Sequence, residues 1–239
     1  MSFDGRVVMV TGSTGELGGA VVSRYLEAGA HVAAIARDHA KSEALRTEMA
    51  HLTGETSDVR FSVFEADPAD RAAMDGAVEE TLRRWGRLDA LANLAGEYAT
   101  SDPWDITAID ASWAANVRTA VVATSACLRP MRARAYGRVV SVGAFGANKG
   151  GKESAGYAMS KTALVRWTES LAAALKDEGI TANVVQPSII DHPSNRRRYP
   201  KADPSKWVRP DELANAILFL TDDISSAITG AAIPVVGRV

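Results

Sequence analysis

The sequence predicts an α/β protein with a doubly wound parallel sheet of about seven strands and helices on both faces. Three observations carry this expectation. Short apolar runs alternate with longer stretches of helical spacing along the whole chain. Several of those runs lack polar alternation, as strands buried on both faces do. Repeated strand–helix units then imply right-handed crossovers and parallel neighbours. The 239 residues contain no internal repeat, low-complexity tract or linker, so a single domain is expected over residues 1–239.

The strands are expected at residues 6–10, 31–36, 59–66, 88–92, 138–142, 181–186 and 231–236. In the first unit RVVMV runs into the glycine-rich TGSTGELG and then the helix-like ELGGAVVSRYLEAG. Gly29, in LEAGAHV, ends that helix, because glycine accepts the left-handed backbone past a last turn. The second strand, HVAAIARD, follows, and Asp38 is placed to cap the next helix. Further helices are expected at 71–85 and 157–178, the latter closed by Gly179 in KDEGITANV. That long helix carries Met159, Ala163, Leu164, Trp167, Leu171, Ala174 and Leu175, which span more than one face. One face suits the core and another suits a second subunit. Residues 188–207 are proline-rich and weakly periodic, as in a mobile substrate loop. Arg196, Arg197 and Arg198 within them form either part of a lid or a solvated face.

Composition excludes several classes of function. A formal charge of −2 gives no field for gripping nucleic acid or a membrane surface. No apolar run approaches the ~18–20 residues that span a bilayer, and MSFDGRVV lacks the form of a signal peptide. The single Cys127 forms no internal disulfide, so a cytoplasmic setting is expected. His31, His39, His51 and His192 share no metal-ligand spacing, and no metal is expected. What remains is a globular protein acting on a small molecule.

In a doubly wound sheet, ligands lie at the carboxyl ends of the strands, where strand order reverses. TGSTGELG occupies that place, before a helix whose free N–H groups and partial positive charge suit phosphate. Gly12, Ser13, Thr14, Gly15, Glu16 and Leu17 are therefore candidate dinucleotide-binding residues, with a plain tight turn as the alternative. A carboxylate facing a pyrophosphate would be repelled, so Glu16 should point away while Gly15 gives the close approach. At the end of the second strand, Ala36 stands where an acid would accept from the 2′-hydroxyl of NAD, and Arg37 supplies a cation for a 2′-phosphate. This favours NADP(H) over NAD(H), an ordinary solvated arginine being the alternative.

The second constellation is YAMSK, Tyr157 to Lys161. Residues four apart share a helical face, ~5–6 Å between Cβ atoms. An ammonium beside a phenol favours the phenolate and is expected to lower its pKa from ~10. Tyr157 then serves as general acid while hydride reaches the substrate, and Lys161 as its electrostatic partner.

Taken together, TGSTGELG, FEADPAD, NLAG, WAANV, GRVVSVG, YAMSK, TANVVQPS, RPDELANAILFLTDD and ITGAAIPV resemble, in order and over nearly the whole chain, the short-chain dehydrogenase/reductases. The resemblance implies a Rossmann-type fold and an NAD(P)-dependent oxidoreductase. It puts Asp67 and Pro68 near the adenine, and Asn93, Ala95 and Gly96 along the cofactor cleft. Asn116 matches the asparagine that supports the lysine and a proton-relay water, and Pro187, Ile189 and Ile190 lie near the nicotinamide amide. Family members commonly pair through the tyrosine-bearing helix, which implies a homodimer or homotetramer.

The family also carries a serine thirteen positions before the tyrosine, which hydrogen-bonds the substrate carbonyl; here that position is Ala144. Ser141 and Ser154 are poor replacements, one on the preceding strand and one in the loop. Alanine there, the GxxGxxG loop and the segment IIDHPSNRRRYPKADPSKW together resemble the dihydropteridine-reductase-like branch. That resemblance implies hydride transfer to a small conjugated acceptor such as quinonoid dihydropterin, with Tyr98 as a candidate stacking ring or simply an exposed loop tyrosine. The alternatives are a carbonyl reductase of 3-oxoacyl type working without the serine, or a catalytically silent nucleotide-binding sensor.

Overall fold

A computed structural model describes residues 1–53 and 57–238. Seven strands, β1 (Val7–Thr11), β2 (His31–Ala36), β3 (Phe61–Glu65), β4 (Ala90–Asn93), β5 (Gly137–Val142), β6 (Ile180–Pro187) and β7 (Ala232–Val235), form one sheet. Every pairing is parallel, and the order is β3-β2-β1-β4-β5-β6-β7. The order reverses between β1 and β4, where Thr11 lies beside both Ile35 and Asn93 at the carboxyl ends.

The helices are α1 (Gly18–Glu27), α2 (His39–Thr53), α3 (Ser57–Arg60), α4 (Arg71–Trp85), α5 (Ile106–Trp113), α6 (Thr119–Ala133), α7 (Ala155–Leu175), α8 (Pro193–Arg198) and α9 (Pro210–Thr221). Both sheet faces are covered, which is why the strands read as continuous apolar runs. In β1, Val8 and Val10 pack with Val21, Leu45, Leu213 and Ile217 of α1, α2 and α9. Their neighbours Val7 and Met9 pack with Met74, Cys127, Met131 and Leu175 of α4, α6 and α7 on the other face.

Local signals act as the sequence predicts at several ends. The Asp38 carboxylate accepts from Lys41 N–H at 2.9 Å to start α2; Asp70, not singled out as a cap from the sequence, accepts from Ala72 and Ala73 N–H to start α4. Gly29 and Gly179 take φ of 92° and 71°. Three boundaries differ from expectation. The strand expected from residue 59 begins at Phe61, because residues 57–60 form α3. That turn is held by Trp85 Nε1 donating to the Val59 carbonyl and Arg60 Nη1 to the Leu26 carbonyl. The strand expected at 88–92 is shifted to Ala90–Asn93, since the Asp89 side chain turns back to accept from Val7 N–H at 2.8 Å. The expected loop at 188–207 contains α8, with Pro193 at its first position, and a 3-10 turn at Pro204–Lys206 capped by Asp203.

Candidate active site

The glycine loop is built to approach both its neighbour and an anion. Gly12 has φ of 64°, and a Cβ there would lie 2.7 Å from Ala95 N, so only glycine lets this turn rest on the loop after β4. Ser13 is fully buried, its hydroxyl donating to the Ile35 carbonyl at 2.9 Å. It roots the loop in β2, and its side chain is spent there. Gly15 and Gly18 N–H close tight turns onto Gly12 and Gly15 carbonyls. The N–H groups of Thr14, Glu16 and Leu17 have no partner among the described residues. They form a cradle of donors at the start of α1, which suits a pyrophosphate. The Glu16 carboxylate is engaged by His192 Nδ1 at 2.6 Å, on the segment after β6.

Arg37 is exposed just past β2 and makes no ion pair among the described residues. Asp67 follows β3, exposed, with its carboxylate accepting from Ala69 N–H at 2.9 Å, beside the buried Pro68. Both thus stand at carboxyl ends of strands on the β1 side of the crevice.

On the β4–β5 side, Asn93 turns inward, its amide donating to Thr124 Oγ1 at 3.0 Å, while its Oδ1 is buried with no partner among the described residues. Ala95 N–H donates to Thr11 Oγ1 at 3.3 Å. Asn116 lies in a π-helical turn, Ala114–Arg118, of the kind often found at functional sites. Its amide accepts from Glu97 N–H and donates to the Glu97 and Ser112 carbonyls, all at 3.0 Å, and to Ser160 Oγ at 3.2 Å. This residue therefore fixes the loop after β4 against α5 and α7. Gly96 sits between Asn116 and Lys161, where a Cβ would fall 2.6 Å from Asn116 Oδ1.

Lys161 is buried, and its Nζ donates to the Val142 carbonyl at 2.8 Å. An ammonium has three donors, so two are left without a partner among the described residues. Burial lowers its pKa from 10.5 to about 8. Nζ lies 6.0 Å from the Tyr157 ring centre. The Tyr157 phenol is pushed up to about 12, first by burial and then by the neighbouring Tyr98 and Tyr199 hydroxyls. The expectation that Lys161 lowers this value is corrected for the protein alone: loss of solvent is the largest cause for both groups, and the Tyr157 shift carries no contribution from Lys161. The Tyr157 hydroxyl thus keeps its proton more firmly than a free phenol.

Ala144 packs with Ala147, Ala158 and Tyr157, presenting a methyl group where a hydroxyl would clamp a carbonyl. Ser141 is fully buried and bonded to Asn93, and Ser154 precedes α7 in a bridge with Ser101, so neither takes its place. Pro187 ends β6, and the Ile189 carbonyl accepts from Val208 N–H, which ties Ile189 and Ile190 to the chain just before α9. Tyr98 is 41% exposed, yet its ring meets that of Tyr157 edge-on at 4.7 Å between centres. Arg198 lies over the Tyr98 ring, Cζ 4.1 Å from its centre. Sequence reasoning missed His192 and Tyr199 as parts of this site and left Arg198 open between a lid and a solvated face. Only the position of residues 188–207 after the sixth strand hinted at them.

The two unspent donors of Lys161, the free N–H groups of the glycine loop and the glycines at 12 and 96 together fit a dinucleotide laid from β3 to β5. The family model described as short chain dehydrogenase matches residues 6–203. A hydroxy(phenyl)methylsuccinyl-CoA dehydrogenase subunit of Thauera aromatica is 30% identical over 99% of this chain and 97% of its own. A 3-oxoacyl-acyl-carrier-protein reductase of Escherichia coli is 26% identical over 99% and 98%. The solved NAD+-bound xylitol dehydrogenase superposes with a TM-score of 0.89 at 25% identity, over 99% of this chain and all of that one.

Proposed function

The chain belongs to the short-chain dehydrogenase/reductase family of NAD(P)-dependent oxidoreductases, and from that footing we propose that it uses NADPH to reduce a small, flat, conjugated acceptor. The observation that carries this reading is Ala144 packed beside the partly buried Tyr157. A conjugated ring that takes hydride at an electron-poor atom needs no clamp on a ketone oxygen, but it does need a proton. Quinonoid dihydropterin is the leading candidate within that class.

The bound coenzyme supplies the hydride. Thr14, Glu16 and Leu17 N–H groups hold its pyrophosphate, Arg37 its 2′-phosphate, and the two unspent Lys161 donors its ribose hydroxyls. Asp67 and Pro68 border the adenine. Pro187, Ile189 and Ile190 border the nicotinamide amide. Asn116 keeps the loop at Glu97 and Tyr98 in place, and Tyr157 hands its phenolic proton to the reduced acceptor. Tyr98 offers a second ring against which a flat substrate rests.

A second reading, a 3-oxoacyl reductase, is favoured by the 26% identity to the Escherichia coli enzyme. Fluorescence titration of NADPH and NADH, then assays of quinonoid dihydropterin, quinones and a ketone panel, separate these. Tighter NADPH binding with turnover of conjugated acceptors is expected. Turnover restricted to 3-oxoacyl thioesters selects the second reading, and binding without turnover anywhere selects a nucleotide sensor. Arg37→Ala should cost NADPH about tenfold in affinity and leave NADH unchanged. An equal effect on both removes the 2′-phosphate role.

A further inference from the structure

We propose that Arg198 and Tyr98 form the recognition wall for a substrate that joins a flat conjugated ring to a carboxylate. This rests on the reductase reading above and names the substrate class. Three facts lead to it. First, α8 ends in three successive arginines whose charges are not equally committed. Arg196 is bidentate to Asp191, at 2.6 and 2.8 Å. Arg198 has no carboxylate within ion-pair distance among the described residues and rests on an aromatic face. Second, the nearest acid along the adjoining loop, Glu97, has its backbone N–H and carbonyl held by Asn116 and makes no ion pair with Arg198. Third, the Tyr98 ring touches both Arg198 and the proposed proton donor Tyr157. An exposed cation is thus held one ring away from the reacting centre.

The chemistry follows from that placement. Guanidinium on a tyrosine face is a weak contact at an exposed site, whereas a planar carboxylate takes two parallel N–H bonds from the same group. An anionic substrate therefore displaces the ring contact at a net gain. Its flat portion then lies along Tyr98 and Tyr157, over the methyl of Ala144. A neutral ring of equal size gains the stacking alone. Coenzyme phosphate is the competing source of negative charge.

The probes are benzoate and benzamide, titrated by calorimetry into the protein with and without NADP+. The variants are Arg198→Gln and Tyr98→Leu, both at exposed positions. Benzoate should bind the wild type about tenfold more tightly than benzamide. Arg198→Gln should erase that preference while changing NADP+ affinity less than about twofold, and Tyr98→Leu should weaken both probes. Equal binding of the two probes to the wild type, binding of neither at millimolar concentration, or a preference that survives in Arg198→Gln overturns the inference. A large loss of NADP+ affinity in Arg198→Gln with the preference intact assigns the arginine to the coenzyme instead. If the protein takes up no NADP+, the reductase reading falls, and the coenzyme-free titration still decides this one.

Discussion

At Lys161 two requirements oppose each other. The ammonium must be buried to reach the crevice floor, and burial favours its neutral form, so its pKa falls from 10.5 to about 8. The folded protein therefore binds fewer protons than the unfolded chain between those two values. Stability contributed by this site must rise as pH climbs through that window. Relative to Lys161→Met, the unfolding free energy of the coenzyme-free wild type should increase by about 1 kcal/mol between pH 7 and pH 9. Urea melts of both proteins at the two pH values measure it, and parallel lines would show that Lys161 is not desolvated. Ala144 presents the reverse case, a missing polar group. Ala144→Ser should raise kcat/KM on simple ketones by up to about 10²–10³ and leave conjugated acceptors nearly unchanged. A uniform change across both panels would remove this residue from the choice of substrate.

Among the elements, the π-helical turn Ala114–Arg118 and the short helix α8 do most to complete the site. The first rotates Asn116 so that one amide serves the loop after β4, α5 and α7 together. The second is tied to the glycine loop by Glu16 and His192, 2.6 Å apart. An acid in the glycine-rich turn thus holds the segment that follows β6. Glu16→Ala should loosen α8, seen as several-fold faster trypsin cleavage at Arg196–Arg198 and faster NADPH release in stopped flow. Unchanged rates in both would reduce the pair to a surface contact, which is commonly worth only about 0–1 kcal/mol.

For the whole molecule, one sheet sets the place of the site, because β1 and β4 are paired neighbours whose onward connections run to opposite halves of the sheet and leave a crevice at their carboxyl ends. The α7 helix has two apolar faces: Leu164 and Leu175 are buried in the core, while Met159 is 55% exposed and Trp167 half-buried along another stripe. Trp113 of the adjoining α5 is 50% exposed beside it in the fold. Such a surface calls for a partner. Sedimentation at micromolar concentration should give a homodimer or homotetramer, and Met159→Glu with Trp167→Glu should give monomers. A monomeric wild type would refute that expectation.

Much of this architecture was legible in the chain itself. Strand and helix order, the stops at Gly29 and Gly179, the cap at Asp38 and the glycine-rich turn all follow from local rules, since each is set by neighbours within a few residues. The order of motifs likewise carried the family. The surroundings of the reacting groups were not legible. The Tyr157 phenol rises instead of falling because burial and distant tyrosines outweigh the lysine four residues along. His192 meets Glu16, and Arg198 meets Tyr98, at sequence separations of 176 and 100. Contacts of that kind arise when separate loops converge at one end of a sheet, and no local pattern encodes them.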